Sequence, residues 1–364
     1  MATPRVGSSP LSLERAHRDF LDTRTFASLD GLRAFAVTAV VWHHTTDGLY
    51  RDVPLLVHGL VRGFLGVDLF FVISGFLIVT LLLRERCRTG SISLSGFYAR
   101  RFLRIFPLYY GVLAFVTVVA FARDTPEALL MRADLPWCAL YLSNWVPVLT
   151  LLSITWSLSA EEQFYLVWPA LERFLGRFVT LALALAVVAA GALQLLHAPL
   201  HLDALPSFLW QTSFFPILLG VALAHLLNDP RGFAFIGLAC AFNGASAIYG
   251  AVIVVLAFAL PMDDIAGLPR MAIHVAMSLF LASCVVRPNH ALRPLLQFAP
   301  IARVGVLSYG IYLLHMFARH IAHKLTGDGP LLFPATFAVV VVLAEISYRF
   351  YESKFLELKK RFAA

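Results

Sequence analysis

Arg33 and His44 are the first residues whose types and spacing suggest chemistry. They stand in Leu29-Asp30-Gly31-Leu32-Arg33 and Val41-Trp42-His43-His44, joined by an apolar run. Eleven residues at about 100° each make three helical turns plus about 20°, so both side chains share one face, about 16 Å apart along the axis. His43 is turned about 80° the other way. An imidazole that titrates near neutral pH can take a proton from a hydroxyl, and a guanidinium can hold an anion. Ionisable groups inside a membrane are expensive and face a bundle interior or a watery cavity, which makes both candidates for function.

Three further clusters carry chemistry. Asp68 lies in Gly63-Phe64-Leu65-Gly66-Val67-Asp68-Leu69-Phe70-Phe71 and shares a face with Phe71 and Gly75. It reads either as a buried partner for a histidine or as a packing residue bonded to backbone, on a helix whose Gly63, Gly66, Ser74 and Gly75 permit close approach. A basic stretch follows with Arg84, Arg86, Arg88, Arg100, Arg101 and Arg104. Arg101 and Arg104, at i and i+3, form a double clamp for phosphate, or are topogenic arginines beside a span. In Trp156-Ser157-Leu158-Ser159-Ala160-Glu161-Glu162-Gln163-Phe164-Tyr165, Ser159 and Glu162 read as a capping box, or the acids as ligands at the mouth of a span. His315, His320 and His323 share a late helix without a companion carboxylate, and Cys87, Cys138, Cys240 and Cys284 are scattered, so no metal site is expected. His197 and His201 read as solvated loop residues. Walker A, GxSxG, HExxH and GxGxxG patterns are absent from the sequence.

The elements that must position these residues are membrane helices. Of 364 residues 59% are hydrophobic and 14% charged, with mean hydropathy +0.77, against about 25% charged in soluble proteins. The expected fold is an all-α polytopic bundle of about ten transmembrane helices, near 29–48, 60–83, 105–122, 155–173, 178–196, 207–227, 233–260, 270–286, 301–323 and 331–350. Gly237, Asn243, Gly244 and Gly250 predict a break or strong tilt in the run 233–260. Residues 123–154 read as a re-entrant or surface segment. With the N-terminus inside, 22 of the 29 Lys and Arg fall on the inner side and 7 on the outer. Both termini are therefore expected in the cytoplasm. The net charge of +7 is thus topogenic, and no nucleic-acid partner is expected. Residues 1–26 are expected to be a flexible cytoplasmic tail without a cleavable signal, residues 27–355 the transmembrane domain, and residues 356–364 a basic cytoplasmic tail.

These blocks, with Phe97-Tyr98-Ala99-Arg100-Arg101-Phe102-Leu103-Arg104-Ile105-Phe106-Pro107 and a weaker Ser308-Tyr309-Gly310-Ile311-Tyr312-Leu313-Leu314-His315, resemble the acyltransferase-3 family of integral membrane O-acyltransferases. They run in the family's order across about 29–355. The resemblance places the family's first-helix histidine at His44 and its Arg-x-x-Arg pair at Arg101 and Arg104. It implies a membrane domain standing alone in a bacterial inner membrane, a cytoplasmic acyl-CoA donor, acetyl-CoA above all, and a hydroxyl acceptor on a glycan, a lipid-linked sugar or a glycosylated small molecule. The segment Tyr351-Glu352-Ser353-Lys354 departs from the family's usual ending in lacking a proline.

On this reading His44 is the general base, with Asp68 or Glu162 as its orienting carboxylate. Arg33, Arg101 and Arg104 hold the phosphates of CoA, and Glu161, Trp156 and Tyr165 contact the acceptor. The same intramembrane histidine and acids would also serve a proton-coupled transporter of a small polar solute. A non-catalytic membrane scaffold is the third reading, and would tolerate substitution at His44, Arg101 and Glu162.

Overall fold

The computed structural model describes residues 10–23, 25–46, 62–196, 200, 214–259 and 267–362. Within them the regular structure is helical. In chain order it comprises α1 (Pro10–Asp22), α2 (Ser28–Thr46), a 3₁₀ turn (Arg62–Phe64) leading into α3 (Leu65–Thr89), α4 (Leu94–Phe121), α5 (Pro126–Ala139) and α6 (Thr155–Phe174). There follow α7 (Val179–Leu196), α8 (Phe214–Asn228), α9 (Pro230–Cys240), α10 (Ala245–Ala259), α11 (Gly267–Val286) and α12 (Arg293–Leu296). The chain ends with α13 (Ala299–Val306), α14 (Ser308–Thr326), α15 (Leu332–Ser347) and α16 (Ser353–Lys359). Local signals set several boundaries. Gly90, at φ 78°, closes α3. The Ser93 hydroxyl caps α4 through Gly96 N–H, and Asp229 with Pro230 opens α9.

Five helical stretches are long and apolar enough to cross a membrane: Arg62–Thr89, Leu94–Phe121, Gly176–Leu196, Gly267–Val286 and Leu332–Lys359. Two bent pairs, α9 with α10 at 72° and α13 with α14 at 77°, bring the number to seven if each is one span. The first bend falls at Ala241–Gly244, inside the run where Asn243 and Gly244 predicted a break. Helices stand at all ten expected positions, yet three fail the test of an independent span. Two of them, α2 and α6, are too polar, carrying Asp30, Arg33 and the histidine pair in one and Glu161, Glu162 and Gln163 in the other. The third, α8, has 15 residues. The two polar helices carry most of the candidate residues and pack among the apolar ones, where a mixed face can line a cavity.

Close backbone approach builds the centre. A Cβ at Gly66 would fall 2.2 Å from the Ala36 carbonyl oxygen, so α2 and α3 touch nearly backbone to backbone. On the far side of α3 the same holds reciprocally with α8: Gly75 faces the Ile217 carbonyl at 2.1 Å and Gly220 the Val72 carbonyl at 2.2 Å. The small residues expected to permit close approach do so, except Ser74, which bonds Glu161.

Both ends of the chain differ from expectation. Within 1–26, residues Pro10–Asp22 form α1. His17, Phe20 and Leu21 lie at i, i+3 and i+4 and give this helix an apolar face that the neighbouring arginines mask in the sequence. Phe20 is buried against Phe233, and Arg84 donates to the Phe20 carbonyl at 2.8 Å and to that of Thr23, satisfying the end of the helix. At the other end, α15 passes through a π-helical stretch, Tyr348–Glu352, into α16 and runs back over α4. Tyr351 hydroxyl donates to the Pro107 carbonyl at 3.0 Å and Arg100 to the Phe362 carbonyl at 2.6 Å. The basic tail expected at 356–364 is therefore tied to α4 as far as Phe362. His197 and His201 lie outside the described residues.

Candidate active site

Arg33 from α2, Arg101 and Arg104 from α4 and Glu161, Glu162 and Tyr165 from α6 line one cavity of about 120 Å³. Phe70, Phe71 and Ser74 of α3, Ser157 of α6, and Tyr309 and Tyr312 of α14 complete its walls. Local contacts explain why these side chains meet. Gly31 lets α2 lie against the Leu296 backbone, its Cβ position only 2.3 Å from that carbonyl oxygen, and this fixes the turn that presents Arg33. Arg33 is bonded to Asp30 at 3.0 Å. The basic stretch divides its labour: Arg84 binds the end of α1, Arg86 donates to the Glu172 carbonyl and Arg100 pairs with Glu85 at 3.0 Å. Glu85 also accepts from Ser93 N–H at 2.8 Å, clipping α3 to α4. Arg101 and Arg104 turn to the cavity instead. Arg101 lies 5.2 Å from the Tyr165 ring centroid. Arg104 makes no hydrogen bond or ion pair among the described residues, although Arg33, Arg101 and Glu352 all act on it electrostatically.

The two acids differ in use. Glu161 accepts hydrogen bonds from Ser74 and Tyr165, which join α3 to α6. Glu162 lines the cavity and makes no hydrogen bond or ion pair among the described residues. The capping box is overturned, because the helix starts at Thr155 and buries Ser159 in its second turn, 2.8 Å from the Ser143 hydroxyl. A 3₁₀ turn at Leu151–Ile154 runs directly into α6, so the start needs no box.

His44 finds its partner on α14. Its Nδ1 is 3.0 Å from the Val40 carbonyl oxygen and 3.3 Å from His315 Nε2. His315 is fully buried, with its Nδ1 2.5 Å from the Tyr312 carbonyl oxygen. A carbonyl only accepts, so His315 Nδ1 carries a hydrogen and, in the neutral ring, Nε2 is an acceptor. His44 Nδ1 then faces two acceptors and must itself carry hydrogen. In the neutral His44 this assigns the basic lone pair to Nε2. Tyr312 links the pair to the cavity: its ring centroid is 5.7 Å from that of His315, and its hydroxyl is 2.6 Å from Ser157 Oγ. His43 packs edge-on against Phe64, matching its different helical face.

Two of the candidate residues lie outside the lining of this cavity. Asp68 is completely buried and held by Arg270, at 3.0 and 3.2 Å, and by His274 Nε2 at 3.0 Å. Both oxygens are engaged, and α3 is thereby pinned to α11, so a carboxylate expected to orient His44 serves this ion cluster instead. Trp156 packs edge-on against Phe71 at 6.2 Å and is not a cavity wall, because its neighbours Ser157 and Leu158 take the inward positions of α6. Sequence reasoning missed His315 as the partner of His44, although Tyr312 and His315 at i and i+3 in the last motif were the signal. It also missed Arg270 and His274, an i, i+4 pair whose presence in an apolar helix calls for a buried anion. Among the described residues no group of three or more His, Cys, Asp and Glu converges as a metal site would require.

Comparisons with known proteins give the chain a family. The family model described as an acyltransferase domain matches residues 26–349, and the chain belongs to this acyltransferase-3 family. It is similar to the peptidoglycan O-acetyltransferase OatA of Listeria monocytogenes, 29% identical over 358 residues, covering 90% of this chain and 55% of that protein. It is likewise similar to O-acetyltransferase OatA of Staphylococcus aureus, 28% identical over 360 residues, covering 91% of this chain and 57% of the relative. The chain thus spans little more than half the length of these curated relatives. No solved structure matches.

Proposed function

We propose that the protein is a membrane O-acyltransferase that moves an acyl group, acetyl in the first instance, from cytoplasmic acyl-CoA to a hydroxyl of a glycan or other sugar-bearing acceptor, with His44 as general base. The observation that carries this reading is the His44–His315 pair, whose hydrogen bonds define a basic Nε2 one aromatic ring beyond a cavity lined by three arginines. The names of the similar proteins supply the expectation of acetyl, and that of the Listeria relative the expectation of a peptidoglycan-type acceptor.

Arg33, Arg101 and Arg104 would neutralise the donor phosphates, for which guanidinium geometry is suited. The long pantetheine arm would enter between α2, α3, α6 and α14, with Glu162 accepting from its amide N–H groups. Because Tyr312 stands between the cavity and the histidines, the thioester must reach His44 alongside that ring. The acceptor oxygen attacks the thioester carbonyl carbon while His44 Nε2 takes its proton. The C–S bond breaks, and the imidazolium returns the proton to the departing thiolate, giving CoA thiol and the ester. Both termini and the basic stretch would lie in the cytoplasm, in keeping with the distribution of Lys and Arg.

The test is thiol release from acetyl-CoA by the purified full chain with glycan acceptors, together with mass spectrometry of envelope glycans with and without the gene. Acceptor-dependent thiol release and loss of an acetyl mass support the reading. Proton-coupled solute flux in liposomes with no thioester consumption would overturn it in favour of a transporter.

A further inference from the structure

A second and larger groove, of about 690 Å³, runs along the other side of α2. Phe35, Thr38, Ala39 and Trp42 line it, and at about 100° per residue they stand about 140–240° round the helix from Arg33. The facing wall is α10, from Gly250 to Phe258, and the floor is Met277 and Phe280 of α11. The ends of the groove are fixed by close contacts. Cβ positions at Gly63 and Gly66 fall 2.1 and 2.2 Å from the Ala39 and Ala36 carbonyl oxygens, so α2 and α3 run antiparallel here and Arg62 stands at the Trp42 end. Arg62 donates to the Ala257 carbonyl, which puts the same end of α10 beside it. Gly250 marks the opposite end, its Cβ position 3.7 Å from Leu292. Seven residues separate Phe35 from Trp42 and Gly250 from Ala257, so the groove is about 10 Å long.

Its lining is that of an amphiphile site. Arg62 is the only charged side chain among the described residues that form it. The Thr38 hydroxyl donates to the Ala34 carbonyl at 2.7 Å, so the middle of the groove offers a ligand nothing but apolar surface. Phe35, Val254 and Leu295 are exposed at its rim, so in a bilayer it opens sideways to hydrocarbon. The cation lies beside an indole, the pairing found at the level of lipid headgroups. One leaflet holds about 15 Å of hydrocarbon, half of the bilayer core. A groove of about 10 Å therefore suits a chain confined to one leaflet.

We propose that this groove binds one acyl chain of an acidic phospholipid, with Arg62 holding the phosphate at its end. The guanidinium fork suits a phosphate diester, and a single molecule then satisfies both the cation and the apolar channel. The bound lipid lies against the face of α2 turned away from the arginine cavity. This site is separate from the donor cavity, and it stands whether or not the protein transfers acyl groups.

The test uses the full chain, purified in neutral detergent and titrated with phosphatidylglycerol or with the diacylglycerol bearing the same two chains. Bound lipid is counted by native mass spectrometry. Wild type should bind phosphatidylglycerol about tenfold more tightly than the diacylglycerol, as expected for one charge-assisted contact. Arg62→Gln should abolish that preference and leave diacylglycerol binding unchanged, and Arg62→Lys should restore part of it. Gly250→Leu, whose Cβ meets only ordinary contacts, fills the groove and should weaken both lipids. It keeps the proposal testable if Arg62→Gln does not fold. Equal binding of the two lipids by wild type overturns the proposal. So does an equal loss of both in Arg62→Gln, which marks the arginine as a structural tie to α10. Phosphatidylglycerol binding that survives Gly250→Leu places the lipid elsewhere on the surface and also overturns it. A dimer that Gly250→Leu disperses would assign the groove to a second copy of the chain, with the same consequence.

Discussion

Replacing Asp68 by asparagine separates a structural carboxylate from a catalytic one. Its two oxygens accept two bonds from Arg270 and one from His274, and neither the aspartate nor the histidine is exposed. Asparagine keeps the volume but removes the charge, leaving the Arg270 guanidinium over the Phe64 ring without its anion. Breaking a buried pair from one side costs about 3–5 kcal/mol. Removing the cation as well, in Asp68→Asn with Arg270→Gln, should recover about 1–3 kcal/mol, because the two sites are directly coupled. The assay is SDS-induced unfolding in mixed micelles followed by tryptophan fluorescence, with thioester turnover expressed per folded molecule. The expected result is a large stability loss in the single variant, partial recovery in the double, and turnover per folded molecule within about twofold of wild type. Stability within about 1 kcal/mol of wild type, combined with a collapse of turnover, would refute the structural assignment and return Asp68 to the chemistry.

Other expectations follow from particular contacts. His315→Phe removes the acceptor that holds His44 Nδ1–H; losing one net hydrogen bond of about 1–1.5 kcal/mol should lower kcat about tenfold in steady-state kinetics, with KM for acetyl-CoA unaffected. His315→Gln, which offers an oxygen acceptor, should retain more activity than His315→Phe. Gly220→Ala places a Cβ 2.2 Å from the Val72 carbonyl and should cost about 1–3 kcal/mol in the SDS assay, whereas Gly111→Ala, whose nearest neighbour is 3.6 Å away, should be tolerated. Cys87 is exposed at the arginine end of α3, while Cys138, Cys240 and Cys284 are buried. An impermeant maleimide should therefore label lysed but not intact cells if that end faces the cytoplasm; labelling of intact cells would invert the topology.

Much of the architecture was legible because membrane helices announce themselves by length and apolarity. The break near Asn243-Gly244 and the close packing at Gly63, Gly66 and Gly75 followed from residue types alone. In the candidate site, Arg33, Arg101, Arg104, Glu161, Glu162 and Tyr165 do meet in one cavity. What was not legible is which polar groups satisfy one another, since pairing joins helices far apart in sequence. Asp68 is 202 residues from Arg270, and His44 is 271 from His315. A run such as Arg100-Arg101-Phe102-Leu103-Arg104 does not say which arginine clips a hairpin and which faces a ligand; Glu85 decides that through Arg100. The capping box failed for a similar reason, because the preceding 3₁₀ turn extends the helix past the residues that mimic a start.

The central claim is that His44 acts as the base in acyl transfer from a CoA thioester. Its most direct test is the rate of thiol release from acetyl-CoA, with acceptor present, by purified wild type and His44→Ala, measured beside CoA affinity by calorimetry. The account predicts that His44→Ala binds CoA as wild type does and loses turnover by about 10²–10⁴-fold, the usual contribution of a positioned base. Turnover in His44→Ala equal to wild type would contradict it.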